Sequence, residues 1–257
     1  MSIKTIVKSI LLVLFTSSFL FAIEINNLSE AVDVAGKQRM FTQRMLKDYA
    51  MIGLENDFGN PKEDLQNVMK SFSDHLDALI KFNNDQATED SLMKVKELWQ
   101  PIKEALQQPP KKELAAKLQE DLEVLLSQAN DATVLFAKQT GKESGKIINI
   151  SGRQRMLSQR MASLYMLKVW GIDDPKFQEK MNKTMELFKT SLQTLMESDM
   201  NTPEITALLN NAKKSFMFFE MMNKSNSKFI PALIYKKSNE ILKDMNTATG
   251  LYAAQEK

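Results

Sequence analysis

From residue 24 onward, apolar positions recur at three- and four-residue spacing, the mark of helices that bury one face. Leu65, Met69, Phe72, Leu76, Leu79 and Ile80 form one such stripe, and Leu114, Leu118, Leu122, Leu125, Leu126, Ala129, Ala132 and Leu135 form another. No segment alternates with the period of a strand. Breakers divide the pattern. Gly59-Asn60-Pro61 ends a first helix over about 27–57, and Pro61 opens a second to about 83. A third helix covers about 89–106, with Pro101 inside as an expected kink. The fourth starts near Lys112. Only Gly141 and Gly145 interrupt it before a fifth that ends near Trp170, so a continuous rod of about 58 residues, roughly 87 Å, is one expectation. Asp173-Asp174-Pro175 opens a sixth helix to about 198. Thr202, as N-cap to Pro203, opens a seventh, and the last covers about 228–254 with a bend at Pro231.

An internal repeat underlies this order. Ala35 to Met45 reads AGKQRMFTQRM, and Ser151 to Met161 reads SGRQRMLSQRM. Phe72, Leu76 and Leu79 match Phe188, Leu192 and Leu195 at the same offset of 116 residues, and Leu126, Asn130 and Thr133 match Leu242, Asn246 and Thr249. Repetition at a fixed period sets the architecture. The chain is expected to be all-α, with two tandem four-helix bundles over residues 24–140 and 141–257.

Residues 1–22 carry Lys4 and Lys8, an apolar run from Ile10 to Phe21, and Ala22, the pattern of a cleaved signal peptide. The expected location is the periplasm, and an uncleaved segment anchored in the inner membrane is the alternative. The formal net charge of +2 gives no reason to expect nucleic acid. With no cysteine, disulfides, thiolate metal sites and cysteine nucleophiles are excluded. His75 alone does not make an imidazole metal site. No metal, no cofactor and no catalytic constellation are expected.

The repeated segment holds the candidate chemistry. On a helical wheel Arg39 falls within a largely apolar stripe of Leu28, Val32, Ala35, Leu46 and Ala50, and Arg155 falls among Ile148, Ser151, Ser158, Ala162 and Met166. A guanidinium there is costly unless paired, and no acidic residue lies one turn away on either stripe. Its partner must come from elsewhere. A carboxylate on another helix would serve, and so would a small anion held by both arginines, whose planar forks match an oxyanion. Thr42, Gln43, Ser158 and Gln159 stand nearby as neutral donors, and Gly36 and Gly152 leave room. Arg44, Arg160, Lys37 and Arg153 are secondary candidates. Arg44 shares with Lys37, Met40, Lys47 and Met51 a mostly polar face that reads as solvated surface. Trp99 and Phe216 read as core, and Asp121, Glu123 and Asp131 as solvated.

These two segments resemble the N-terminal sensor domain shared by PilJ-type chemotaxis transducers and NarX/NarQ-type nitrate sensor kinases. That group carries Asn–x–(Ala/Ser)–Gly–x–x–Arg–Met on its first helix. The asparagine is Asn149 in the second copy, while Asp33 takes its place in the first. The resemblance implies a periplasmic bundle in which motif arginines hold nitrate between symmetry-related helices. Carried over by position, these are Arg39 and Arg155, with Gly36 and Gly152 letting the ligand approach the backbone. It also implies a non-enzymatic module for nitrate or nitrite. That module would act through a separate membrane sensor kinase or chemoreceptor, within one chain or as a homodimer. The competing expectation is a structural or interaction bundle without a small ligand. A straight rod would hold the two arginines far apart, whereas a bend near Gly141 or Gly145 would set the bundles side by side.

Overall fold

The computed structural model describes residues 23–141, 143–172, 174–224 and 230–255. Residues 1–22, where a signal peptide is expected, lie outside them. Eight helices and no strand occur among the described residues: α1 (Leu28–Gly53), α2 (Pro61–Phe82), α3 (Gln86–Leu106), α4 (Lys112–Gln139), α5 (Glu143–Val169), α6 (Phe177–Met196), α7 (Pro203–Lys224) and α8 (Pro231–Ala254). None is long and apolar enough to cross a membrane.

Local chemistry sets the ends. Asn27 caps α1 by accepting from the Glu30 N–H at 2.9 Å, and Asp85 caps α3 through Thr88 at 2.9 Å. Thr202 caps α7 through Ile205 at 3.2 Å. Pro61, Pro203 and Pro231 each occupy a first helical position, where no N–H is needed. The last helix therefore starts at Pro231 and does not bend there. Pro101 sits inside α3, which continues through it to Leu106.

No rod forms. α4 ends at Gln139, and Gly141 adopts the left-handed φ of +64° that a side chain disfavours. Gly145 completes the reversal, because a Cβ there would lie 2.2 Å from the Thr140 hydroxyl. The chain folds back, and the two halves lie side by side. α1 packs on α2 and α4, α5 packs on α6 and α8, and α1 lies along α5 at the centre. The repeat shows in three dimensions. Gln38 donates to the Phe72 carbonyl at 2.9 Å and Gln154 to the Phe188 carbonyl at 3.1 Å. Phe72 packs on Trp99 at 4.4 Å and Phe188 on Phe216 at 4.5 Å between ring centres, so Trp99 and Phe216 are core.

The central position of α1 corrects one expectation. The face bearing Arg44, Lys47 and Met51 is not solvated. Lys47 and Met51 are fully buried, and the Arg44 side chain is only 25% exposed. A helix surrounded by α2, α4, α5 and α8 has no free face to give to water.

Candidate functional site

Arg39 and Arg155 are both fully buried, and they meet. A Cβ placed on Gly36 would lie 3.3 Å from Arg39 Nη2 and 3.2 Å from Arg155 Nη2. One placed on Gly152 would lie 3.5 and 3.0 Å from the same atoms. The two glycines are thus the floor on which two guanidinium groups converge, and their missing side chains are what permits it. Like charges this close in a low-dielectric core repel strongly unless something offsets them.

The offset is unequal. Arg39 Nη1 donates to Asn130 Oδ1 at 2.9 Å, and its Nη2 donates to the Asn149 carbonyl at 3.3 Å. Arg155 repeats this pattern, Nη1 to Asn246 Oδ1 at 3.1 Å and Nη2 to the Asp33 carbonyl at 3.2 Å. Arg155 has one more partner, the Asp33 carboxylate at 2.7 Å. Asn149, at the equivalent position, offers no charge, and its side-chain oxygen is buried without a partner. Arg39 has no carboxylate within ion-pair distance among the described residues. Burial first, then Arg153 and Arg155, push its pKa down to about 9. The Nε–H of each arginine also lacks a partner. Asp33 itself is held below the usual carboxylate range: burial would raise it, but Arg155 and Lys37, the latter at 2.8 Å, outweigh burial.

Several expected donors point elsewhere. Thr42 and Ser158 each give their hydroxyl proton to a helix carbonyl, that of Arg39 or Arg155, at 2.8 Å. The Gln43 amide reaches Glu123 at 3.3 Å, and the Gln159 amide reaches the Ser238 carbonyl at 3.0 Å. These four brace the helix pair and do not face the arginines. Arg44 forms a fork to Asp64, with Nε at 2.9 Å, and Arg160 pairs with Glu123 at 2.8 Å. Glu123 is therefore not a solvated residue. Lys37 pairs with Asp33, while Arg153 makes no ion pair among the described residues. Asn130 and Asn246, which orient the arginines, were visible in the sequence only as a matched pair in the repeat.

A second buried polar group lies one layer away. Lys47 Nζ donates to Gln159 Oε1 and Asn239 Oδ1, both at 2.8 Å, and lies 3.9 Å over the Tyr235 ring. Burial pushes its pKa down to about 8. No group of three or more potential metal-ligating side chains occurs among the described residues.

The model of the type IV pili methyl-accepting chemotaxis transducer N-terminal family, PilJ, matches residues 23–131 and 137–215. Each segment contains one motif arginine with its glycine. No curated protein and no solved structure matches the chain. The chain belongs to the PilJ family of chemotaxis-transducer N-terminal domains, a sensory and signalling module present here in two tandem segments.

Proposed function

We propose that this chain is a periplasmic, non-enzymatic sensor that binds one small planar monoanion, nitrate or nitrite first, between Arg39 and Arg155. It would pass its state to a separate membrane sensor kinase or chemoreceptor. Arg39 carries the proposal: a fully buried guanidinium with an unpartnered Nε–H and no counter-charge, facing a second guanidinium across a glycine floor. A planar oxyanion offers acceptors in the plane of both forks, and its single charge offsets what Asp33 leaves unbalanced. The pseudo-twofold pairing of α1 with α5 supplies within one chain what two subunits would supply in a dimer.

Calorimetry with nitrate tests this. Arg39→Ala should abolish the heat of binding, and Arg39→Lys, which lacks the fork, should restore little of it. Unchanged affinity in the alanine variant would remove the assignment. A second reading, a structural bundle without a ligand, is favoured by one observation: Asp33 already clasps Arg155 from the other half at 2.7 Å. Thermal unfolding separates the two. A bound ligand raises the midpoint by mass action, so nitrate and not chloride should raise it if the sensor reading holds.

A further inference from the structure

An open cleft of about 390 Å³ lies between α1 and α2 of the first half and α8 of the second. Its floor is apolar, made of Met40, Phe41 and Leu242. No carboxylate lines it, and its polar wall consists mainly of donors. Asn239 and Asn246 both have their oxygens occupied, by Lys47 at 2.8 Å and Arg155 at 3.1 Å, so each amide offers only its NH2 group. Lys243 is exposed and makes no ion pair among the described residues. Lys37 and Arg44 also reach the wall, while the Asp33 and Asp64 carboxylates that pair with them stay outside the lining. His75 also lines the wall, with its Nδ1 unpartnered and its pKa pushed down to about 4, chiefly by burial. Donors that outnumber this one acceptor above an apolar floor fit an anion with an apolar body.

The repeat sharpens this. The 116-residue offset places Glu123 where the cleft has Asn239, and Ser127 where it has Lys243. On that side Glu123 pairs with Arg160 at 2.8 Å. One copy of the duplicated surface thus carries an amide and a cation where the other carries a carboxylate and a hydroxyl.

We propose that this cleft is a second binding site, for a small amphipathic organic acid. Its carboxylate sits among Lys243, Asn239 and Asn246, and its short hydrocarbon body lies on Met40, Phe41 and Leu242. The occupant bridges the two halves. Through Asn246 it touches the residue that orients Arg155, which connects it to the central arginines. The site itself does not depend on nitrate binding.

Hexanoate is the probe, with 1-hexanol and hexylammonium as controls at matched ionic strength, followed by amide NMR shifts and calorimetry. Hexanoate should move the amides of Lys243 and Asn246 and bind at least about tenfold more tightly than either control. Asn239→Glu with Lys243→Ser, which copies the other half, should weaken hexanoate by at least about tenfold and leave the nitrate response intact. If circular dichroism shows that the double variant is unfolded, Lys243→Ser alone decides, because that side chain is exposed. Absence of shifts at these amides, equal binding of hexanol, or undiminished binding by the folded variant would overturn the proposal.

Discussion

Asp33 of α1 accepts a hydrogen bond from Arg155 of α5 at 2.7 Å, across the boundary between the two halves. Its repeat equivalent, Asn149, approaches Arg39 only through its backbone carbonyl, at 3.3 Å. This one difference breaks the electrostatic symmetry of a duplicated site. Two buried guanidinium groups share one resident carboxylate, and the charge left over lies on Arg39. On the proposed reading, one monoanion would balance the charge left on this arginine pair.

Asp33→Asn should therefore act in opposite directions on the empty and the occupied protein. Without anion, two buried cations lose their counter-ion, and urea unfolding should show a loss of about 2–4 kcal/mol. With Asp33 gone as a competing charge, nitrate should bind roughly tenfold more tightly in calorimetry. Because the folded-state pKa of Asp33 is depressed, its contribution to stability is complete above about pH 4 and is lost as pH falls through the folded value. The variant should lack that part of the acid limb. Weaker nitrate binding by the folded variant would mean that Asp33 helps to hold the ligand.

The charge on Arg39 predicts an alkaline limit to binding. Burial first, then Arg153 and Arg155, bring its pKa down to about 9, and only the protonated form attracts an anion. Nitrate affinity should be level from neutral pH to about 8, then fall by roughly tenfold per pH unit beyond the pKa. A titration by calorimetry from pH 6 to 10.5 reads this directly. A flat profile to the end of that range would show that Arg39 stays charged, and that its burial is compensated by a group other than the ligand.

Gly36→Ala and Gly152→Ala separate stability from binding. Each replaces a helical glycine, which favours the helix by about 1 kcal/mol. Each added methyl, however, enters the space between the arginines at 3.0–3.5 Å from their Nη2 atoms. The expected result is a thermal midpoint close to that of the parent, with nitrate binding weakened at least about tenfold by loss of room for the anion. Gly53→Ala is the structural contrast. Its methyl would come 2.2 Å from the Trp170 ring, and this overpacking should cost about 1–3 kcal/mol in chemical unfolding while leaving the arginine geometry alone.

Much of this was readable from periodicity and repetition. The eight helices, the proline starts at Pro61 and Pro203 and the stranded arginines follow from local spacing, because capping and amphipathicity are properties of neighbouring residues, whereas Pro231 opens the last helix instead of bending it. The wheel misplaced the Arg44–Lys47 face because it describes one helix against one core, and α1 has neighbours all round. The pairing of Arg155 with Asp33 is a contact across 122 residues, set by how the halves dock, and no spacing within a helix encodes it. The turn at Gly141 was an open alternative for a related reason. Glycine permits a left-handed residue, but packing of α1 on α5 makes that reversal the stable one.

Asp48 is fully buried beside Lys47, and its two oxygens find no donor in the fold. Burial pushes its carboxyl well above the usual range, more than Lys47, 3.9 Å away, pulls it down. Burial thus favours the neutral acid form of Asp48, which lies beside the Asp64 carboxylate. That carboxylate is held below its usual range, because its bonds to Arg44 and Asp48 outweigh burial. In the unfolded chain Asp48 ionises at about pH 4, so folding must return a proton to it at any pH between that value and its raised folded pKa. The penalty is absent in acid and grows as pH rises through this window. Asp48→Asn keeps the shape, offers a permanent N–H to Asp64 and removes the titration. Its advantage over the parent should be near zero at pH 4 and about 1–3 kcal/mol at pH 7, read from urea unfolding at each pH. Two stability profiles that run parallel between those values would show that Asp48 is ionised in the folded protein and paired with Lys47, and that the polar layer between the halves is an ion pair rather than a shared proton.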